Sequence, residues 1–441
     1  MKLFTFKKGI HPKDQKKQTS GKAIEVAPLP KEVFIPLNQH IGKPAIPVVK
    51  KKDVVKTGQL IAKADGRFSA NIHASLSGTV KNVGLFMHPM GSRVPMVHIV
   101  AGEFEEEWQL LPHPEDWKTA SPEELLEVVF QAGIVGLGGA SFPTHIKLAP
   151  PADKPLDVFL LNGCECEPYL TCDHRMMLDR ADEVLDGMLI LMKILGLKRG
   201  IIGVENNKLD AVLLLRERIK QRGETLEVVK LKTKYPQGAE KMLISAVLGR
   251  HVPEGGYPLD VGCVVNNVGT ALAIAEAVTQ GKPLVERVVT VAGSGIEDPK
   301  NLLIRVGETF GNAILASGGL TPDALQVYMG GPMMGMAQFD LQVPLVKGTS
   351  GVVAVNHVAE QHNKIYPCIR CNACVSACPV HLLPNRLFRF TEKGMPQEAH
   401  SRGLMSCVEC GACVFVCPSS IPILQWIRVG KFKINNQPKE A

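Results

Sequence analysis

One cysteine pattern occurs twice near the C-terminal end of the chain: Cys368-x2-Cys371-x2-Cys374-x3-Cys378-Pro379, then Cys407-x2-Cys410-x2-Cys413-x3-Cys417-Pro418. Four thiolates at this spacing, followed by proline, are what a [4Fe–4S] cluster needs: three wrap one face and the fourth reaches across to the other cluster. The spacing therefore pairs Cys368, Cys371 and Cys374 with Cys417, and Cys407, Cys410 and Cys413 with Cys378. Structural zinc sites also use Cys-x2-Cys pairs, but zinc leaves the third cysteine of each run and the trailing Cys-Pro unexplained. The segment predicts a two-cluster ferredoxin fold with helical connections, such as Asn385 to Lys393. Such a chain moves electrons one at a time.

With 441 residues the chain has room for two to four domains. Aromatic residues are only 5%, and 41 glycines suit an α/β protein with many ligand-binding turns. No apolar run is long enough to span a bilayer. The start, Met1 to Lys8, lacks the apolar core of a signal peptide. The expectation is a protein kept in the cytoplasm or held at a membrane by partners. Eight of the 12 cysteines belong to the repeat, which requires reduced thiols. The other four, Cys164, Cys166, Cys172 and Cys263, read as packed free thiols, with a third metal site as the alternative. Lysines crowd the first sixty residues of a chain of net charge +7. No recognition motif accompanies them, which argues against nucleic acid. An anionic membrane surface, an acidic electron carrier or a merely solvated face are the readings left.

The pattern along the chain is multidomain α/β. Residues 1–115 read as a basic N-terminal arm and short strands such as Val33-Phe-Ile-Pro and Gln59-Leu-Ile-Ala. They resemble the β-sandwich of lipoyl carrier domains, without the lysine that carries a cofactor there. Residues 120–284 open on a capped helix at Ser121-Pro122-Glu123-Glu124. Strands and amphipathic helices then alternate, as in a Rossmann-like, doubly wound domain. Residues 285–358 give strand, strand, helix, strand, a small β-grasp, and residues 360–430 form the cluster domain. The apolar tail from Ile421 is expected to pack back on that last domain.

Four short motifs lie in the second domain. The loop Gly136-Leu-Gly138-Gly139-Ala-Ser-Phe142-Pro-Thr-His-Ile-Lys147 is neither a P-loop nor Gly-x-Gly-x-x-Gly. Its glycines let the backbone approach an anion, Lys147 supplies countercharge, and Phe142 offers a stacking face. Asn162-Gly-Cys-Glu165-Cys-Glu167-Pro168 directly follows a strand, where open α/β sheets bind ligands. Tyr235-Pro-Gln-Gly238-Ala-Glu240 and Asn266-Asn267-Val-Gly-Thr270 complete the set. Taken singly, each motif reads as an ordinary turn or cap. Glu205, at a strand end, could bind ribose hydroxyls and would disfavour a 2′-phosphate.

Together, in this order, the four motifs resemble the flavin- and NADH-binding subunit of complex I and its relatives. The resemblance implies that Gly136, Gly138, Gly139, Lys147, Asn162, Glu165, Tyr235, Gly238, Asn266, Asn267 and Thr270 hold FMN. It also implies that Phe142, Glu167 and Glu240 face the nicotinamide nucleotide. The sequence departs from that family at Leu137, Cys164, Tyr169 and Ala239, where arginine, an acid, glycine and an acid are usual. The complex I subunit also carries one cluster motif, not two. A lipoyl-like sandwich, a flavin/NADH domain, a β-grasp of the SLBB type and a two-cluster tail, in that order, look like the C subunit of the Rnf complex. This implies a peripheral subunit at the cytoplasmic face of the bacterial inner membrane. It would exchange electrons between NAD(H) and other Rnf-type membrane and iron–sulfur subunits. Ferredoxin is reached indirectly, and the whole complex moves Na⁺ or H⁺.

Hydride delivers two electrons and a cubane cluster takes one, so a flavin must stand between them. No protein side chain need act as acid or base; the site residues position the cofactors and tune their potentials. A cobalamin reductase of the same modules and a non-catalytic ferredoxin relay on a dead flavin scaffold are the alternatives. Leu137 and Ala239 favour the relay.

Overall fold

The computed structural model describes residues 3–356 and 364–436; the expected boundary at 358–360 lies outside them. Strand β1 (Ile24–Val26) belongs to an extended N-terminal arm, considered below. A two-sheet sandwich follows, built from β2 (Glu32–Pro36), β3 (Ile46–Pro47), β4 (Val54–Val55), β5 (Leu60–Lys63), β6 (Ile72–His73), β7 (Gly78–Met87) and β8 (Arg93–Ala101). One sheet runs β2-β8-β7-β4 and the other β3-β5-β6. Alternation along the strands sends Val33, Ile35, Val80, Val97 and Ile99 inward against Val55, Ile61 and Ile72.

The second module is a parallel sheet in the order β11-β10-β9-β12, from β9 (Val158–Gly163), β10 (Gly200–Glu205), β11 (Glu227–Leu231) and β12 (Cys263–Asn267). Its strands read as apolar runs because both faces are covered. Phe159, Leu161, Ile202 and Val264 point to one side, where α1 (Pro122–Gln131), α4 (Ala181–Ile194), α5 (Leu209–Gln221) and α7 (Val268–Gln280) pack. Val158, Leu160, Ile201 and Val265 point to the other, against α6 (Glu240–Leu248). Between them in sequence lie the short α2 (Thr144–Lys147) and α3 (Cys172–Asp179). Ser121 caps α1 in a capping box with Glu124. Gly187 lets α4 lie directly on α7: a Cβ there would fall 1.8 Å from the Ala271 carbonyl oxygen.

The third module is a mixed sheet, β1-β14-β13-β17-β15-β16. It comprises β13 (Glu286–Ala292), β14 (Lys300–Arg305), α8 (Phe310–Leu315), β15 (Gln326–Met329), β16 (Met336–Gln338) and β17 (Gly351–Val355), with β13 and β17 parallel at its centre. In the fourth, α9 (Ala373–Ala377), α10 (Pro384–Glu392), α11 (Pro396–His400), α12 (Ala412–Phe415) and α13 (Ile423–Asn435) surround the cysteine repeats. The tail helix α13 buries Ile423, Leu424 and Ile427 and packs on α10, where Gly430 meets Thr391. Among the described residues no helix is long and apolar enough to cross a membrane.

The basic arm does not belong to the sandwich. Phe4 bridges to Leu231 at the edge of the parallel sheet, Ile10 to Tyr235, and the Gly9 amide donates to the Ala377 carbonyl at 3.2 Å. Strand β1 then joins the third module, parallel to β14. Lys16, expected on a charged face, is buried.

Candidate functional site: a cleft at the sheet switch point and two cysteine cavities

Strand order reverses at β9, which has β10 on one side and β12 on the other. The crevice at their carboxyl ends is where open α/β sheets bind ligands. Asn267 ends β12 in direct register with Asn162, the next-to-last residue of β9, so the second and fourth motifs meet there. The Asn162 Nδ2 donates to the Gly238 carbonyl at 2.8 Å, which brings in the third. The glycine loop closes over the same place: Thr270 Oγ1 accepts from the Leu137 amide at 3.0 Å, and Gly138 packs on Asn267. Gly138 and Gly139 remain exposed, with open space beside Gly139. Gly136 sits at the base of the loop, its amide bonded to the Phe142 carbonyl at 2.8 Å. The Phe142 ring is half-buried, edge-on to Phe68 of the sandwich at 6.2 Å.

At the rim Lys147 pairs with Glu240 at 3.0 Å and donates to the Val265 carbonyl at 2.8 Å. Asn267 caps α7 through Gly269 and donates to Asp173 at 2.6 Å. Burial and the nearby Glu165 carboxylate push Asp173 up to about 7. Asn266 is buried, yet its Nδ2 has no partner. A buried amide donor without an acceptor is costly unless a ligand supplies one. The cleft thus offers an exposed glycine loop, a lysine at its rim and an orphaned donor for a polar ring edge. This donor set fits a flavin mononucleotide.

Three expected contacts lie elsewhere. Glu205 is shut inside the fold, 3.4 Å from the equally buried Lys208 and accepting from the Lys234 amide at 3.1 Å. Burial raises its pKa, and it has no surface to offer a ribose. The Glu165 carboxylate accepts from the amides of Asp173 and His174, capping α3, with Lys16 at 3.9 Å. It shapes the turn rather than opening into the cleft. Glu167 spends both carboxylate oxygens on the third module, accepting from the amides of Met333 and Met334 at 3.1 and 3.0 Å.

The two cysteine repeats line two cavities. Cys368, Cys371, Cys374 and Cys417 wall the first, where Arg370 is the one charged neighbour among the described residues. Cys378, Cys407, Cys410 and Cys413 wall the second, where no described lining residue is charged. Four thiols around a largely apolar hole suit a cubane cluster. The cavities differ in depth. Cys371 is exposed beside the exposed Ile369, whereas Cys378, Cys410 and Cys413 are buried. The second cavity also adjoins the cleft: the Tyr235 hydroxyl lies 2.8 Å from the Cys410 carbonyl, and Cys166 and Met333 pack in the same apolar cluster.

The remaining thiols do not assemble. Cys164, Cys172 and Cys263 are buried separately, and among the described residues only Cys172 joins a group of three ligand-type side chains, with Glu165 and Asp173. Lys16, Asp173, Lys208 and Arg287 brace the loops of the cleft, Lys208 through the Cys164 carbonyl, and local sequence patterns do not reveal them. The Lys16 Nζ donates to the carbonyls of Glu165 and Glu167, each at 2.9 Å, and Arg287 donates to the Leu137 carbonyl at 2.6 Å.

A parallel-sheet cleft of this kind beside paired cysteine cavities marks an iron–sulfur flavoprotein oxidoreductase. Family models agree: a Nuo51 FMN-binding domain matches residues 129–276, an SLBB domain 288–337 and a 4Fe-4S dicluster domain 367–421. The RnfC barrel sandwich hybrid domain matches residues 4–103, and the chain belongs to the RnfC family of ion-translocating oxidoreductase components. It is 48% identical to the C subunit of the proton-translocating ferredoxin:NAD(+) oxidoreductase complex of Clostridium ljungdahlii, over 90% of this chain and 86% of that one. It is 43% identical to the C subunit of the Na(+)-translocating ferredoxin:NAD(+) oxidoreductase complex of Acetobacterium woodii, over 99% and 98%. The C subunit of an ion-translocating oxidoreductase complex of Rhodobacter capsulatus is 42% identical over 99% of this chain and 84% of that one. Among solved structures, an NAD⁺-reducing [NiFe]-hydrogenase chain aligns with a TM-score of 0.52 at 20% identity, covering 74% of this chain and 69% of that one. That likeness concerns the fold.

Proposed function

We propose that this chain is the NAD(H)-reacting subunit of a membrane-bound ferredoxin:NAD oxidoreductase, working through FMN and two [4Fe–4S] clusters. Bound FMN supplies the change from hydride to single electrons. The chain's residues hold and insulate: the Gly136–Gly139 loop and Lys147 take the phosphate, and the free Nδ2 of Asn266 takes the polar edge, while Asn162 and Asn267 brace the cleft walls. Cys378, Cys407, Cys410 and Cys413 would carry the cluster next to the flavin cleft. Cys368, Cys371, Cys374 and Cys417 would carry the one that meets a partner. One observation supports this order above the others: the Tyr235 hydroxyl, on a cleft loop, sits 2.8 Å from the backbone of the second cavity.

The partners in this reading are other Rnf-type membrane and iron–sulfur subunits, and ferredoxin through them. The chain would sit peripherally at the cytoplasmic face of the inner membrane, within a complex that moves Na⁺ or H⁺. The test is anaerobic addition of NADH to the reconstituted full chain. Flavin bleaching followed by loss of cluster absorbance supports the reading; a protein that binds no FMN and ignores NADH refutes it. The non-catalytic relay predicts that second result.

A further inference from the structure

Glu167 stands where three modules meet. It lies on the turn after β9, in the flavin-type domain. Its two carboxylate oxygens accept from the amides of Met333 and Met334, on the third module's loop Gly330-Gly-Pro-Met-Met-Gly335. Its Oε1 is also 3.2 Å from the Tyr235 hydroxyl, whose single proton is shared with the Cys410 carbonyl at 2.8 Å. From the other side, the same loop rests on the second cysteine cavity. A Cβ on Gly411, a residue in the left-handed region at φ 75°, would fall 2.6 Å from the Met333 carbonyl oxygen. Gly331 is equally constrained: a Cβ there would fall 2.2 Å from Glu167 Oε2.

We infer that Glu167 is a positioning residue, clamping the flavin turn to the loop of the buried cluster through Gly330–Gly335, and not a contact to the nicotinamide nucleotide. This rests on the proposed reading that FMN occupies the switch-point cleft. The carboxylate is held by two amides and one phenol, which occupy three of its about four acceptor sites. Breaking the clamp frees the turn from the cluster loop without removing any group that holds either cofactor. A reaction between two held centres is sensitive to such misplacement, with small displacements costing large factors in rate.

The experiment compares wild type with Glu167→Ala, Glu167→Gln and Gly331→Ala, all reconstituted as the full chain. Gly331→Ala attacks the clamp from the third module. Stopped-flow mixing with NADH follows flavin bleaching and cluster absorbance separately, and ferricyanide turnover gives KM for NADH. In Glu167→Ala and Gly331→Ala, transfer from flavin to cluster should slow about tenfold or more while KM for NADH stays within about twofold. Glu167→Gln, which keeps one acceptor oxygen, should fall between. The FMN dissociation constant of the cluster-loaded apoflavoprotein should stay within about twofold in Gly331→Ala, showing that the cleft is intact. A KM raised about tenfold in Glu167→Ala, with unchanged flavin-to-cluster transfer in both Glu167→Ala and Gly331→Ala, overturns the inference. Wild-type protein that binds no FMN refutes the underlying reading instead.

Discussion

The ammonium of Lys16 lies 3.9 Å from the carboxylate of Glu165, both almost wholly shielded from water, although they stand on opposite sides of a domain junction. The same Nζ donates to the carbonyls of Glu165, Glu167 and Leu170, so one arm residue fixes the backbone of the whole turn after β9. Removing one partner from a buried ion pair leaves the other charge uncompensated. Lys16→Met should therefore lower unfolding free energy by about 3 kcal/mol and weaken FMN binding with it. Denaturant titration and flavin-fluorescence titration measure the two. A variant within about 0.5 kcal/mol of wild type would remove Lys16 from this role.

Asn266 invites the opposite experiment. Its Nδ2 is buried without an acceptor, so the flavin-free fold bears the desolvation of an unpaired donor. Asn266→Leu should weaken FMN binding by about 1–3 kcal/mol, while the flavin-free protein melts no lower than wild type. Calorimetric titration with FMN and a thermal melt without it provide the check. A parallel loss in both would assign Asn266 to the fold rather than the ligand.

Crossed ligation makes a sharp prediction about Cys378. It sits in the first sequence motif but lines the cavity of the second. Cys378→Ala should abolish the electron paramagnetic resonance signal of the cluster on Cys407, Cys410 and Cys413 and preserve the other. Iron should fall to about half in the same sample. Loss of the signal belonging to Cys368, Cys371 and Cys374 instead would show ligation within each motif.

Burial holds His73 down to about 3 and His40 down to about 4, with the buried ammonium of Lys347 as the next cause in each. Depressed values mean that the folded state refuses protons that the unfolded chain accepts below its ordinary value of 6.5. Stability from each histidine is complete above that value and drains away as pH falls toward the folded one. The slope is about 1.4 kcal/mol per pH unit per histidine. Between pH 7 and about 5, wild type should therefore lose stability relative to His73→Gln. Urea midpoints across that window decide it; parallel curves would mean that His73 does not titrate in the unfolding reaction.

The residues that were legible in the sequence act through their near neighbours. The cysteine spacing brings its thiols together over a few turns of chain, and the capping box at Ser121 and the apolar run at Val158 each declare themselves locally. The motifs around Asn162, Gly238 and Asn266 also meet as expected, because adjacent parallel strands carry their ends to one crevice. Glu205 misled for a physical reason: its place at a strand end is that of a ribose ligand, but Lys208 one turn on draws it inward. Lys16 sits in a run that reads as solvated, and its partners lie about 150 residues away, at Glu165 and Glu167. No periodicity encodes such a pairing. Nothing local in the Gly330–Gly335 loop points to Glu167, and only the fold brings the two together.

The route of the N-terminal arm bears on how the molecule comes together. Residues 4–26 precede the surfaces they touch, among them Glu165, Glu167, Leu231, Tyr235, Asn301 and finally Ala377. Contacts of such sequence separation form late, because the chain between them must be ordered first. The last of them, Gly9 to Ala377, adjoins Cys378 of the buried cavity. The contact of Gly9 can therefore form only after residue 377 has been made, and a loose Gly9 segment would mark a chain whose second cysteine cavity is not yet assembled.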